Sequence, residues 1–215
     1  MTRSDDTPGL WDISPPVHAA SPSYPGDAPY RQRWTARIGA GSVVNVSEIS
    51  LSPHIGAHAD APLHYDPHGA AIGALALAPF IGPCRVVHAI DCGPRVQWRH
   101  VAHALAAPPP RVLVRTRVQA VVERWDEALS GLEPALVQRL ADAGVQLLGI
   151  DSASIDPADS LELSSHQVVR QRGLRVLENL VLDAVPEGDY ELIALPLKLM
   201  GADASPVRAI LRTLR

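Results

Sequence analysis

The chain has 215 residues, 47% hydrophobic and 20% charged, with a formal net charge of −4. This describes one domain large enough to bury a core, without the basic surplus that nucleic acid asks for. No stretch reaches the roughly 18 apolar residues of a membrane span, and the opening MTRSDDTPGLWDIS lacks the apolar segment of a signal peptide. Two cysteines, Cys84 and Cys92, form neither a disulfide framework nor a Cys-x-x-Cys metal pattern, which fits a reducing cytoplasm.

In chain order, residues 1–10 read as a loose leader and 11–215 as a single domain. LWDIS is a short strand. Residues 14–30, dense in Pro, Ser and Gly, form a loop. Residues 42–52 (SVVNVSEISLS) are β-branched and partly alternating, so they read as a strand running into the segment that follows. CRVVHAID (84–91) is a buried strand. WRHVAHALAA (98–107) is a helix stopped by three prolines, and RVLVRTR (111–117) a strand. EPALVQRLADAG (133–144) is the best-marked helix, with Glu133 near its N-cap, Pro134 at its first position and Gly144 as its stop. QLLGID (146–151) is a buried strand. SSHQVVRQRG (164–173) is a short helix with a serine cap and a glycine stop. RVLENLVLD, YELIALPLKL and VRAILRTL are strands, the last with a helical alternative. The order predicts a mixed α/β fold with flanking helices, and its β–β neighbours near both ends argue against a simple doubly wound sheet.

Residues 53–68, PHIGAHADAPLHYDPH, hold four of the nine histidines, with Asp60 among them. An even spread would give about 0.6 in the fifteen positions 54–68. Pro53, Gly56 and Pro62 exclude a helix, so a loop is expected. If 58–60 are extended, His58 and Asp60 project to one side, and a turn at Gly56 brings His54 to join them. The small Ala57, Ala59 and Ala61 leave room for side chains to converge. Imidazole with carboxylate suits Zn²⁺, Mn²⁺ or Fe²⁺. The simpler reading, a solvated loop, would carry more Ser, Lys and Glu. For His18, His88, His100 and His103 an ordinary surface or structural role is preferred.

Three ligands on one loop want partners from elsewhere. His166 lies in the first turn of the 164–173 helix, where the helix dipole favours the neutral ring that binds metal. Glu178 interrupts the apolar run VLENLVL, and a lone buried carboxylate is costly unless paired or metal-bound. A surface-facing strand position would equally accommodate it.

SPHIGAHADAPLHYDPHGAAIG, with WDISPPV and SPSYPGDAPY before it and YELIALPLKLMGADASPVRAIL at the end, resembles the metal-dependent cyclase-like hydrolases, and within them the arylformamidase (kynurenine formamidase) branch. The likeness runs from about Leu10 to the C-terminus. It implies a swivelling β/β/α fold, a homodimer and two divalent ions, Zn²⁺ or else Mn²⁺. His54, His58 and Asp60 would hold the first ion. Asp60 and Glu178 would bridge to the second, which His166 also holds. His64 would be the general acid/base, and His68 has no role. The implied reaction is hydrolysis of N-formyl-L-kynurenine, a small-molecule substrate, to L-kynurenine and formate. Ala57 and Ala59 depart from the commoner Thr and from Cys or Val at little cost. Tyr24 stands where relatives often place a Trp against the substrate ring, which puts substrate choice in question.

Three rival readings remain. A serine hydrolase would need G-x-S-x-G, and the nearest segments, GIDSAS and GADASP, fail it. A sister enzyme acting on another aryl or cyclic amide, of the isatin type, would share the metal ligands. A non-catalytic metal protein would be expected to use a closed, Cys-rich site. Arg208 and Ser205 would either touch the substrate's carboxylate or close the core.

Overall fold

The computed structural model describes residues 9–39 and 41–214. Most of the expected leader lies outside the described residues, but Leu10 already belongs to the sheet, and the Thr213 amide donates to the carbonyl of Gly9 just before it at 2.9 Å.

The strands are Leu10–Asp12 (β1), Arg31–Ala36 (β2), Val46–Ser50 (β3), His58–Asp60 (β4), Ile81–His88 (β5), Arg95–Val96 (β6), Arg111–Arg115 (β7), Gly131–Leu132 (β8), Leu147–Ile150 (β9), Arg175–Glu178 (β10), Gly188–Ile193 (β11), Ala204–Pro206 (β12) and Ile210–Thr213 (β13). Nine of them form one sheet in the order β1-β13-β11-β5-β7-β9-β10-β4-β12. The middle four, β5, β7, β9 and β10, run parallel, and the outer pairings are antiparallel. Strands β7 and β9 are covered on both faces, which is why VLV (112–114) and LLGI are apolar without alternation. The mixed α/β architecture expected from the sequence is present.

Helices Trp98–Val101 (α1), Pro134–Asp142 (α2) and Ser164–Arg172 (α3) bury Val101, Leu136, Val137, Leu140 and Val169 against one sheet face, with Val112, Val114, Leu148, Ile150 and Val176. The opposite face carries Ala59, Leu113, Leu147, Leu177, Leu192 and Leu211 in a second core. That core joins residues from strands near both edges, so the sheet curls over it.

Several elements differ from expectation. The 98–107 helix is only one turn long. Gln97 and His100 cap it reciprocally, but Arg85 then donates to the Ala104 and Ala107 carbonyls and draws the chain out of the helix. The 42–52 strand shortens to β3 and pairs with β2, which the sequence did not announce, in an exposed hairpin outside the main sheet. Helix α3 has no serine cap. Its N-cap position is Leu163, in left-handed backbone, and the Ser165 and His166 amides donate to Asp156 at 3.0 Å each. The C-terminal VRAILRTL contains a strand, β13, not a helix. Arg208 pairs with Asp12 and the Ser205 hydroxyl donates to the Pro206 carbonyl, so both serve the fold.

Candidate functional site

The chain enters the site through Gly56, whose φ of +66° is left-handed; a side chain there would also meet Val17 at 2.7 Å. This turn swings His54 back over β4. Antiparallel pairing sets His58 opposite Glu178 and Asp60 opposite Val176. Cross-strand partners share a face, so His58, Asp60 and Glu178 all project toward the helices while Ala59 and Leu177 enter the other core. Helix α3 brings His166 in from above. His58, Asp60, His166 and Glu178 are each at least 96% buried.

Their atoms converge. Asp60 Oδ1 lies 3.2 Å from His54 Nδ1 and 3.5 Å from His58 Nε2, while Oδ2 lies 3.4 Å from His166 Nε2. Glu178 Oε2 is 3.3 Å from His58 Nε2, and Oε1 is 3.5 Å from His166 Nε2. Both carboxylates thus show one oxygen to His58 and the other to His166. His54, Asp60 and His64 offer ligand atoms within 4.8 Å of one another, as do His58, Asp60 and Glu178. Asp60 belongs to both groups. His64, expected as an acid/base, thus also comes within ligand range of His54 and Asp60.

Each imidazole is oriented by a fixed acceptor. His58 Nδ1 faces the Gly56 carbonyl at 2.9 Å, and a carbonyl only accepts, so Nδ1 carries the proton and Nε2 keeps its lone pair. His166 Nδ1 likewise donates to Asp156 at 2.9 Å, and His54 Nε2 to Asp203 at 2.9 Å. Inner lone pairs held by outer hydrogen bonds are what metal-binding histidines require. His58 Nε2 and Asp60 Oδ1 are buried with no hydrogen-bond partner among the described residues. Such orphans are costly, and a divalent cation satisfies both. The donor set therefore fits a cation.

Electrostatics agree. Burial opposes charge on His54, but Asp60 and Asp203 outweigh it and push its pKa up to about 9. Burial also opposes charge on His166, and Asp156, Asp60 and Glu178 override it, raising the ring well above its usual value. Without a cation, these three carboxylates outweigh the preference of the helix end for a neutral His166. Asp60 is held well below the usual carboxylate range: burial alone would raise it, but the His166, His54 and His58 rings prevail. Without a cation the cluster takes up protons, and a cation would replace them.

The site floors a cleft of about 770 Å³ at the carboxyl ends of the parallel strands, where Thr116, Asp151 and Asn179 follow β7, β9 and β10. Tyr24 lines it, half exposed, with its ring edge-to-face on Trp125 at 5.3 Å. His68 is exposed and outside the cleft lining, and His18, His88, His100 and His103 make local contacts elsewhere. Sequence reasoning missed Asp156, Asp203 and Trp125. GIDSAS and GADASP, rejected as serine elbows, carry Asp151 and Asp203, and Asp156 lies just past the first. Their signal was an acidic residue in a short, small-residue loop.

A family model described as "Putative cyclase" matches residues 11–157. The chain belongs to the cyclase family. Kynurenine formamidases of Paracidovorax citrulli and Delftia acidovorans are each 67% identical to it, over 95% of this chain and 96% and 98% of theirs. A solved potential metal-dependent hydrolase with cyclase activity superposes with a TM-score of 0.82 at 27% identity, covering 96% of this chain and 98% of its own. Isatin hydrolase A of Labrenzia aggregata, at 21% identity and a TM-score of 0.76 over 96% of this chain and 94% of its own, shares the fold. This cyclase-family member is a hydrolase that uses divalent metal, as its relatives and its donor set together indicate.

Proposed function

We propose that this protein hydrolyses N-formyl-L-kynurenine to L-kynurenine and formate. The observation that carries the reading is the shared Asp60, whose two oxygens face opposite ways into a buried imidazole–carboxylate cluster, in a chain 67% identical to kynurenine formamidases. His54, His58 and Asp60 would hold one ion, and Asp60, His166 and Glu178 a second. Imidazole and carboxylate suit Zn²⁺, with Mn²⁺ the alternative. Bound there, the ions supply a Lewis acid for the formyl oxygen and lower the pKa of water.

The chain's own groups do the rest. Asp203, held ionised although its partial burial opposes this, orients His54 and accepts from His64 Nδ1 at 3.3 Å. That leaves His64 Nε2 as the proton carrier. His64 is the most exposed of the four rings of the site, with 34% of its side chain open, so it can meet both water and substrate. It takes the proton as the water oxygen bonds to the formyl carbon. It then delivers that proton to the anilide nitrogen as the C–N bond breaks. Asp60, Glu178 and Asp156 stay ionised and hold the imidazoles in place.

Homodimerisation is part of the proposal. The β2–β3 hairpin leaves Trp34 and Ile49 exposed on one face, and an isolated two-stranded ribbon is marginal in water. A cytoplasmic location suits the two buried, unpaired cysteines. The test is hydrolysis of N-formylkynurenine by purified protein before and after chelation, with elemental analysis of the metal. Activity should vanish on chelation and return with Zn²⁺ or Mn²⁺; turnover that survives full metal removal defeats the proposal.

A further inference from the structure

Residues 117–129, between β7 and β8, contain no helix or strand, yet they are pinned along their length. Asp151 accepts from the Thr116 amide at 2.9 Å and the Arg117 amide at 3.1 Å. Asp183 accepts from the Ala120 amide at 2.9 Å. The Arg117 guanidinium holds Asp126 and donates to the Ala128 carbonyl at 2.8 Å. So much anchoring of a coil segment suits a binding wall better than a connector.

This wall presents Arg124 and Trp125 to the cleft. Trp125 is half-buried and meets Tyr24, which is itself fixed by donation to the Ala158 carbonyl at 3.3 Å. Two aromatic rings from separate loops thus stand above the imidazole floor. Arg117 and Arg124 are the lysine- or arginine-type cations lining the cleft. Arg117 is committed to Asp126. Arg124 has no hydrogen bond or ion pair among the described residues. Asp27, Asp126, Asp151 and Asp203 line the same space, so an anionic ligand would be repelled unless a cation received it.

We infer that Arg124 and Trp125 set substrate specificity: Trp125, with Tyr24, takes the aryl ring, and Arg124 takes the carboxylate of the amino-acid arm. The preferred substrates are then aryl formamides bearing an anionic arm. This rests on the formamidase reading above and adds which groups read the part of the molecule remote from the reacting bond.

The experiment compares kcat/KM for N-formylkynurenine and for formanilide, which lacks the arm, using metal-loaded full-length protein. Wild type should favour N-formylkynurenine. Arg124→Ala should lower that preference roughly tenfold, through KM, since one charge-assisted contact at a partly open site is lost. Arg124→Lys should recover part of it by keeping the charge. Trp125→Ala should raise KM for both substrates, and Trp125→Phe should bring both back toward wild type. A preference unchanged in Arg124→Ala overturns the assignment even if wild type hydrolyses both compounds. Wild type that hydrolyses neither overturns the formamidase reading, and this inference with it.

Discussion

His58, Asp60 and Glu178 stand on strands hydrogen-bonded on both sides within the sheet, whereas Arg124 and Trp125 stand on a coil segment held by side chains. The floor positions charges whose separations are about 3.5 Å or less, where displacement by a fraction of an ångström matters, and paired strands give that precision. The wall reads a ring and an arm at longer range, and a pinned loop suffices for that. Chemistry and recognition are thus built by different means within one cleft. Changes to the floor should abolish the reaction, and changes to the wall should only re-aim it.

The largest effect is expected at Asp60, the carboxylate shared by both groups of candidate ligand atoms. Asp60→Asn should lose metal, by elemental analysis, and should lose more activity than the roughly 100-fold that marks the upper end for groups acting through a ligand. Near-normal metal content with normal turnover would mean that the floor is not what it is taken for. His64→Ala should keep its metal and lose about 10²- to 10⁴-fold in kcat. Metal loss in that variant would instead make His64 a ligand, as its closeness to His54 and Asp60 allows.

One step outward, Asp156→Ala should weaken metal binding by about 10- to 100-fold, measured by chelator competition, because His166 loses the acceptor that fixes its tautomer. A binding constant equal to wild type would show that the ring is placed without Asp156.

The metal-free protein should also reveal the floor through pH. The His54 pKa rises from 6.5 to about 9 on folding, so its contribution to stability is complete below pH 6.5 and is lost as pH climbs through about 9. Melting temperature after chelation should therefore fall across that window, and Zn²⁺ should restore it by replacing the protons. A flat profile would remove the carboxylate–imidazole coupling from the account. The smallest effect belongs to the wall: Tyr24→Ala should raise KM about 2- to 10-fold while leaving metal content intact, as expected for loss of one edge-to-face aromatic contact.

By itself the sequence determined the local geometry. In HIGAHAD, the glycine marks the turn, and the alternation of an extended segment puts His58 and Asp60 on one side, because period two is a property of the backbone. The apolar run at 147–150 likewise announced a buried strand. The tertiary structure alone decided which acids stand behind the imidazoles: Asp156 beneath His166, and Asp203 beside His54 across 149 positions of chain. It also decided that Glu178 faces His58 and not solvent, and that Trp125 meets Tyr24. Those outcomes depend on strand register and on loop anchoring, which join residues remote in sequence. A carboxylate in a short loop looks the same in the sequence whether it faces water or a buried ring.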